Sequence, residues 1–144
     1  MLDLYGSRFT YGRSKFSDQS PEWPEPTAKV YVKVRLGSSI KVRLFQLDTG
    51  AAWSVLSPDA AEEAGVSIGV GDPTKLHTRF GPLKGHLVRV PLTLIADDGD
   101  SLDTDGTFFV SADWPRRLSF LGYSGLMDSI RFAVDPLAND FYFG

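Results

Sequence analysis

The sequence predicts an all-β domain with two short helices. Three observations support this class. Apolar and polar residues alternate along several runs from Ala28 onward, glycine-rich or acid-rich turns separate these runs, and only two short stretches have the signals of a helix. The chain has 144 residues, of which 42% are hydrophobic and 12% aromatic, and this is enough for one domain with a sizeable core.

The composition disfavours several classes of partner. The formal net charge is −3 and the basic residues are scattered, so nothing favours nucleic acid or an anionic membrane. The chain has no cysteine, which excludes disulfides and thiolate chemistry. No stretch approaches the roughly 18 apolar residues of a membrane span, and the first residues lack the apolar segment of a secretion signal. We therefore expect a cytoplasmic protein without a nucleic-acid or membrane partner.

The first 26 residues are predicted to form an N-terminal arm or flexible linker, and residues 27–144 the domain itself. The arm ends in "SDQSPEWPEP", a polar run with three prolines that suits a linker better than a packed element. Its aromatic content favours instead an arm that docks on the domain or on a partner. The aromatic residues are Tyr5, Phe9, Tyr11, Phe16 and Trp23.

A β-hairpin is predicted to open the domain. Val30, Val32, Val34 and Leu36 alternate with polar residues, and residues 37–39 form a turn. The alternation then restarts with Ile40, Val42 and Leu44, which are expected to face the core. This second strand leads to Asp48. The sequence therefore directs a carboxylate toward an apparent core, where a lone carboxylate is costly to bury.

The remaining elements follow from local signals. Ser57 and Pro58 are suited to the start of a helix and Gly65 to its end. Strands are predicted at Leu76–Phe80, Gly85–Ile95, Thr107–Val110, Arg131–Val134 and Asp140–Phe143, with a short helix at Ser124–Ile130 and a turn at Asp135–Asn139.

The order Asp48, Thr49, Gly50 has a chemical use at the end of a strand. Glycine permits a tight turn with its amide directed at the carboxylate, and the threonine hydroxyl can anchor the loop. Such an aspartate can hold and polarise water. Hydrolysis of a peptide in this way requires two carboxylates that share one proton, because one acts as base and the other as acid.

Three stretches resemble retropepsin-like aspartic proteases. "FQLDTGAAWSVL" is similar to the active-site loop of this family, and "LSFLGYSGLMDSI" to its second signature, an apolar-apolar-Gly strand end before a short helix. "RFAVDPLANDFYF" resembles the final hairpin of small bacterial members. The resemblance extends from Ala28 to Gly144 and implies a closed, barrel-like all-β domain with a flap hairpin.

The resemblance also implies an activity and a partner. The family occurs as chains with two Asp-Thr/Ser-Gly loops and as half-length chains with one, and this sequence has one. It therefore implies a homodimeric endopeptidase, joined through the active-site loop and the terminal strands, in which Asp48 of each copy acts on a peptide or protein substrate. No cofactor and no metal are implied.

Further roles are implied for the neighbouring residues. Thr49 would bond across the dimer axis, Gly50 would bond the carboxylate or the substrate, and Ala51 and Ala52 would border the substrate. The flap tip is expected near Phe80–Leu83, where Gly81 and Pro82 make a turn, so that Phe80 and Gly81 contact the substrate. Viral members carry an arginine and an aspartate where this chain has Tyr123 and Trp53.

Other interpretations of these residues stay open. Asp48 can simply cap its own turn, and the same fold can serve as a non-proteolytic binding or dimerisation domain. "GVSIG" at residues 65–69 has the letters of a nucleophile elbow but follows a helix instead of a strand. His77 and His86 are expected at the surface, and the acids between residues 97 and 105 are expected to form a solvated turn.

Overall fold

The computed structural model describes the backbone of residues 2–4, 7–9, 12–15, 17–19 and 26–144, and the side chains of 12–14 and 30–144. Tyr5, Tyr11, Phe16 and Trp23 of the predicted arm lie outside the described residues. Within the described part of the chain, the helices are too short and too polar to cross a membrane.

The described residues form fourteen strands and two short helical segments. The strands are β1 (Leu2–Leu4), β2 (Ser7–Phe9), β3 (Gly12–Lys15), β4 (Ser17–Gln19), β5 (Pro26–Leu36), β6 (Arg43–Leu47), β7 (Ser54–Val55), β8 (Asp72–Thr78), β9 (Gly81–Leu94), β10 (Asp98–Gly99), β11 (Leu102–Val110), β12 (Phe120–Leu121), β13 (Phe132–Asp135) and β14 (Asp140–Phe143). Helix α1 spans Pro58–Glu63, and a 3₁₀ turn spans Met127–Ser129.

The largest sheet closes into a barrel. Its strand order is β4-β5-β6-β12-β7-β11-β9-β8, and β5 also pairs with β9. The strands from β5 to β9 in this order therefore form a ring of six, while β4 and β8 lie outside the ring. Closing the ring pairs the strand edges that an open sheet would expose. The predicted all-β class is confirmed.

A second sheet joins the two ends of the chain in the order β10-β3-β14-β13. The terminal hairpin of β13 and β14 has its turn within the predicted range. Arg13 of β3 contacts the buried Asp140 at 3.2 Å and the exposed Asp98 at 3.3 Å. Strand β14 is paired on both edges within one chain, with β13 on one side and with β3 on the other. Strand β3 belongs to the predicted arm.

The predicted opening hairpin exists, but its second strand starts later and faces the other way. Ile40 is 91% exposed and Val42 52% exposed, since the strand begins only at Arg43. The register pairs Val32 with Phe45, so Phe45 occupies the core position. Residues directly opposite each other share a face. The expectation that Ile40, Val42 and Leu44 face the core was therefore wrong. Leu44 lies opposite Lys33, on the other face of the strand pair.

The prediction of the first helix is confirmed with its caps, whereas the second helix, predicted at Ser124–Ile130, is only the 3₁₀ turn Met127–Ser129. The Ser57 hydroxyl accepts a hydrogen bond from the Ala60 amide at 3.2 Å, Pro58 is the first helical residue, and Gly65 follows the helix with φ of +69°. A positive φ is a conformation that glycine adopts at low cost. Ala60 and Ala61 are buried, so this short helix packs one face against the barrel core.

Candidate active site

The Asp48 loop connects β6 to β7 and is closed by its own hydrogen bonds. The Gly50 amide donates to Asp48 Oδ1 at 3.0 Å, and the Ala51 amide donates to the Asp48 carbonyl at 3.1 Å. The Asp48 amide donates to the Leu121 carbonyl of β12 at 2.9 Å. The loop therefore has a defined backbone conformation that is independent of the Thr49 side chain.

The stretch that resembles the second family signature packs directly against this loop. Strand β12 lies between β6 and β7, parallel to β6 and antiparallel to β7. Beyond β12, the Tyr123 amide donates to the Ala51 carbonyl at 2.9 Å, and the Ser124 amide donates to the Ala52 carbonyl at 2.8 Å. Two segments some 70 residues apart in the sequence thus form one site.

Gly122 and Ser54 hold these two segments together. The Gly122 amide donates to the Ser54 hydroxyl at 2.9 Å, and Ser54 is completely buried. A Cβ atom on Gly122 would lie 2.3 Å from the Trp53 carbonyl group and 2.6 Å from the Ser54 amide. Only glycine permits this approach. The sequence analysis missed Ser54, although a hydroxyl residue between Trp53 and Val55 was a usable signal.

The loop presents its polar groups toward the outside of the chain. Asp48 and Ala51 are half-buried, whereas Thr49, Gly50 and Ala52 are exposed. Within the described residues, the Thr49 hydroxyl has no hydrogen-bond partner, and Tyr123 beside the loop is 51% exposed. In a single chain, Asp48 therefore lies at a surface rather than in the core that its strand suggested.

Phe80 and Gly81 lie on a different element, the hairpin of β8 and β9. Thr78 pairs with Gly81, so Arg79 and Phe80 form the turn. The Thr78 hydroxyl donates to the Gly81 carbonyl at 2.8 Å and accepts from the Phe80 amide at 3.1 Å. Phe80 is 94% exposed at the tip. The turn was expected at Gly81 and Pro82. It lies at Arg79 and Phe80 instead, because Gly81 and Pro82 already belong to β9.

The competing motifs form no second site. Ser67 of "GVSIG" is exposed in the connection between α1 and β8, so the motif directly follows a helix and not a strand. His77 is exposed and His86 half-buried, and no cluster of potential metal ligands occurs among the described residues. The acids near residue 100 have separate partners: Asp97 contacts Lys33 and Ser14, Asp98 contacts Arg13, and Asp103 contacts Thr93.

Comparison with known proteins assigns the fold. No family model and no curated protein matches the sequence. Among solved structures, the chain is similar to a retropepsin-like aspartic protease from Rickettsia conorii, with a TM-score of 0.55 and 15% sequence identity over 92% of this chain and 90% of that chain. The chain has a retropepsin-like fold. At this identity the similarity establishes the fold alone, and the function depends on the chemistry of the site.

Proposed function

We propose that the protein is a homodimeric aspartic endopeptidase. Asp48 of each copy would share one proton, one carboxyl acting as the base that activates water and the other as the acid that protonates the substrate. The observation that carries the proposal is the conformation of the Asp48 loop. Its carboxylate accepts a hydrogen bond from the Gly50 amide, and its backbone is hydrogen-bonded to β12. A defined loop positions a catalytic group without support from the substrate.

Two copies are needed because one chain supplies one Asp-Thr-Gly sequence. An isologous contact through the loop would bring the two Asp48 side chains together at a twofold axis. The exposed hydroxyl of Thr49 and the exposed ring of Tyr123 support a contact on this surface, since both would gain partners there.

The terminal strands would contribute to the dimer in a restricted way. Both edges of β14 are paired within the chain, whereas β13 lies at the end of its sheet. A partner strand could therefore extend the sheet at β13 without displacing β3. We assign most of the contact to the Asp48 loop.

The hairpin of β8 and β9 would act as the flap. Phe80 and Gly81 at or beside its tip would cover an extended substrate, and Ala51 and Ala52 would border the substrate from the loop. The small alanine side chains leave room for a peptide backbone, which would pair through its amide and carbonyl groups.

The direct test is Asp48→Asn, assayed by mass spectrometry on a peptide library under mildly acidic conditions. Cleavage should fall by about 10³-fold or more, because one essential acid-base pair is lost. Asp100→Asn, in the exposed connection between β10 and β11, is the matched control and should cleave normally. Cleavage that survives in Asp48→Asn would refute the mechanism.

A binding or dimerisation domain is the second candidate. The hydrogen bond from the Gly50 amide to Asp48 favours this candidate. Even without catalysis, the bond gives the carboxylate a structural role as the cap of its own turn. Pepstatin-type inhibitors distinguish the two, since they mimic the tetrahedral intermediate. Stabilisation of wild-type protein by such an inhibitor, lost in Asp48→Asn, supports the protease.

A further inference from the structure

A cavity at the base of the β8–β9 hairpin has no role in the proposed catalytic site. It is open to solvent, has a volume of about 490 Å³, and is walled mainly by apolar groups. Its wall comes from both strands of the hairpin, from Ile68 and Gly69 after α1, and from residues 111–113 after β11. Ile68 and the neighbouring Val70 are 43% and 62% exposed. An apolar side chain of a ligand would be sheltered here from water.

Two lysines face each other at this cavity. Lys75 of β8 is directly opposite Lys84 of β9, and both line the cavity. Like charges at directly opposed positions destabilise a strand pair. Neither lysine has an ion pair among the described side chains. His86 and Asp113 also line the wall, but Asp113 forms no ion pair with either lysine in the part of the chain described. A carboxylate of a ligand, bound between Lys75 and Lys84, would reduce the repulsion between their charges.

The strand beside the cavity can also bind a backbone. Strand β8 is the last strand of its sheet, so its outer edge is unpaired within that sheet. An extended peptide can pair with such an edge, while a lipid or a small acid cannot. Pro73 removes one donor from this edge, which leaves the part nearer Lys75 as the better place for pairing.

We propose that this cavity is an exosite for the polypeptide substrate, which recognises an apolar side chain next to an acidic one. The apolar side chain enters the cavity and the carboxylate lies between Lys75 and Lys84. Calling the ligand a substrate rests on the proposed function. The lysine pair lies three register steps from the pair that closes the hairpin, which is about 10 Å. The recognised side chains are therefore about three or more residues from the bond under the hairpin tip.

The test uses the full chain carrying Asp48→Asn, so that binding is measured without cleavage. A displayed library of random dodecapeptides is selected on this protein, and one enriched peptide is measured by calorimetry. We expect enrichment of Asp or Glu beside a large apolar residue. Adding Lys75→Gln and Lys84→Gln should weaken binding about fivefold or more and reduce its salt dependence. The matched control is Arg116→Gln with Arg117→Gln, which removes the same charge from a different surface.

Thermal unfolding separates lost recognition from lost folding. Because the lysines repel each other, the double Lys→Gln protein should unfold at the same or a higher temperature than its parent. The exosite proposal would be overturned if the selected peptides were not enriched in Asp or Glu. An equal loss of affinity in the arginine control would overturn it too. Tighter binding of decanoate than of the selected peptide would overturn it as well. A wild-type protein that binds these peptides and cleaves none would refute the protease alone.

Discussion

The two loops at the ends of β6 are held by different forces. The loop before β6, residues 37–42, is attached to α1 through Glu63. This carboxylate accepts hydrogen bonds from the Ser39 hydroxyl at 2.7 Å and from Arg43 Nε at 2.8 Å, and it lies 4.0 Å from Lys41 Nζ. Contacts to this one charged carboxylate therefore hold the loop, together with backbone bonds at Gly37 and Ser39, and Ile40 stays exposed to solvent.

The loop after β6, residues 48–53, is held mainly by backbone hydrogen bonds and by the buried hydroxyl of Ser54, with one further bond from the Gly50 amide to Asp48 Oδ1. Its stability depends on the close approach of Gly122 to the backbone of Trp53 and Ser54, and not on a charged side chain of that pair. The difference teaches that the loop carrying the candidate catalytic carboxylate is anchored to β12 by uncharged groups. The loop before β6 is anchored instead by the carboxylate of Glu63, so this contribution to stability should depend on pH.

The largest expected effect is that of Gly122→Ala. The new Cβ would collide with backbone atoms of Trp53 and Ser54, which cannot move without breaking the loop. We expect a loss of about 3 kcal/mol or more in the free energy of unfolding, measured with urea. Gly50→Ala is the control in the same loop, since its Cβ would meet only Asp48 Oδ1, at 3.4 Å. Equal losses in the two variants would show that the close approach is unimportant.

Ser54→Ala should have the next largest effect. The variant leaves the Gly122 amide buried without an acceptor, which destabilises by about 1–3 kcal/mol. Hydrogen exchange should also quicken at the Gly122 amide. Ser67→Ala, at an exposed position, should change neither quantity. A Ser54→Ala protein with wild-type stability would mean that the β12 pairing alone holds the loop.

Glu63→Gln should have a smaller effect that depends on pH. Burial alone raises the pKa of Glu63, but hydrogen bonds from Arg43 and Ser39 and the charges of Arg43 and Lys41 outweigh it and lower the pKa below the ordinary 4.5. A depressed carboxyl pKa stabilises the folded state above the unfolded pKa, and this contribution is lost as the pH falls through the folded pKa.

Near neutral pH, Glu63→Gln should therefore be less stable than wild type by about 1 kcal/mol, since solvent partly screens the pair. Denaturant titrations at a series of pH values should show this difference shrinking below pH 4.5. Ser54→Ala should show a constant difference over the same range. A pH-independent gap for Glu63→Gln would contradict the assignment of Glu63 as the anchor.

Features with local signals were predictable from the sequence. The caps at Ser57 and Gly65 and the turn of the terminal hairpin lie where residue type and neighbours placed them. The Asp48 loop and the stretch around Gly122 were singled out separately, and the structure brings them together. Their contact is long-range, so only the family resemblance linked them beforehand.

What the sequence analysis missed depended on pairing between distant strands. The face of β6 is set by its register with β5, and a shift of one residue exchanges the two faces. Leu44 was therefore assigned to the wrong face, whereas Ile40 and Val42 precede the strand altogether. The cavity beside Lys75 also combines segments from four parts of the chain, which no single stretch reveals.

The central claim is that two copies share one catalytic site. Its most direct test is to mix wild-type and Asp48→Asn protein, allow the subunits to exchange, and then measure cleavage with the amount of wild type held constant. If each active site needs Asp48 from two copies, an equal amount of the variant should lower cleavage of a peptide library to about half, and a large excess should nearly abolish it. Cleavage that stays constant at every ratio would mean that one chain acts alone, and would contradict the shared site.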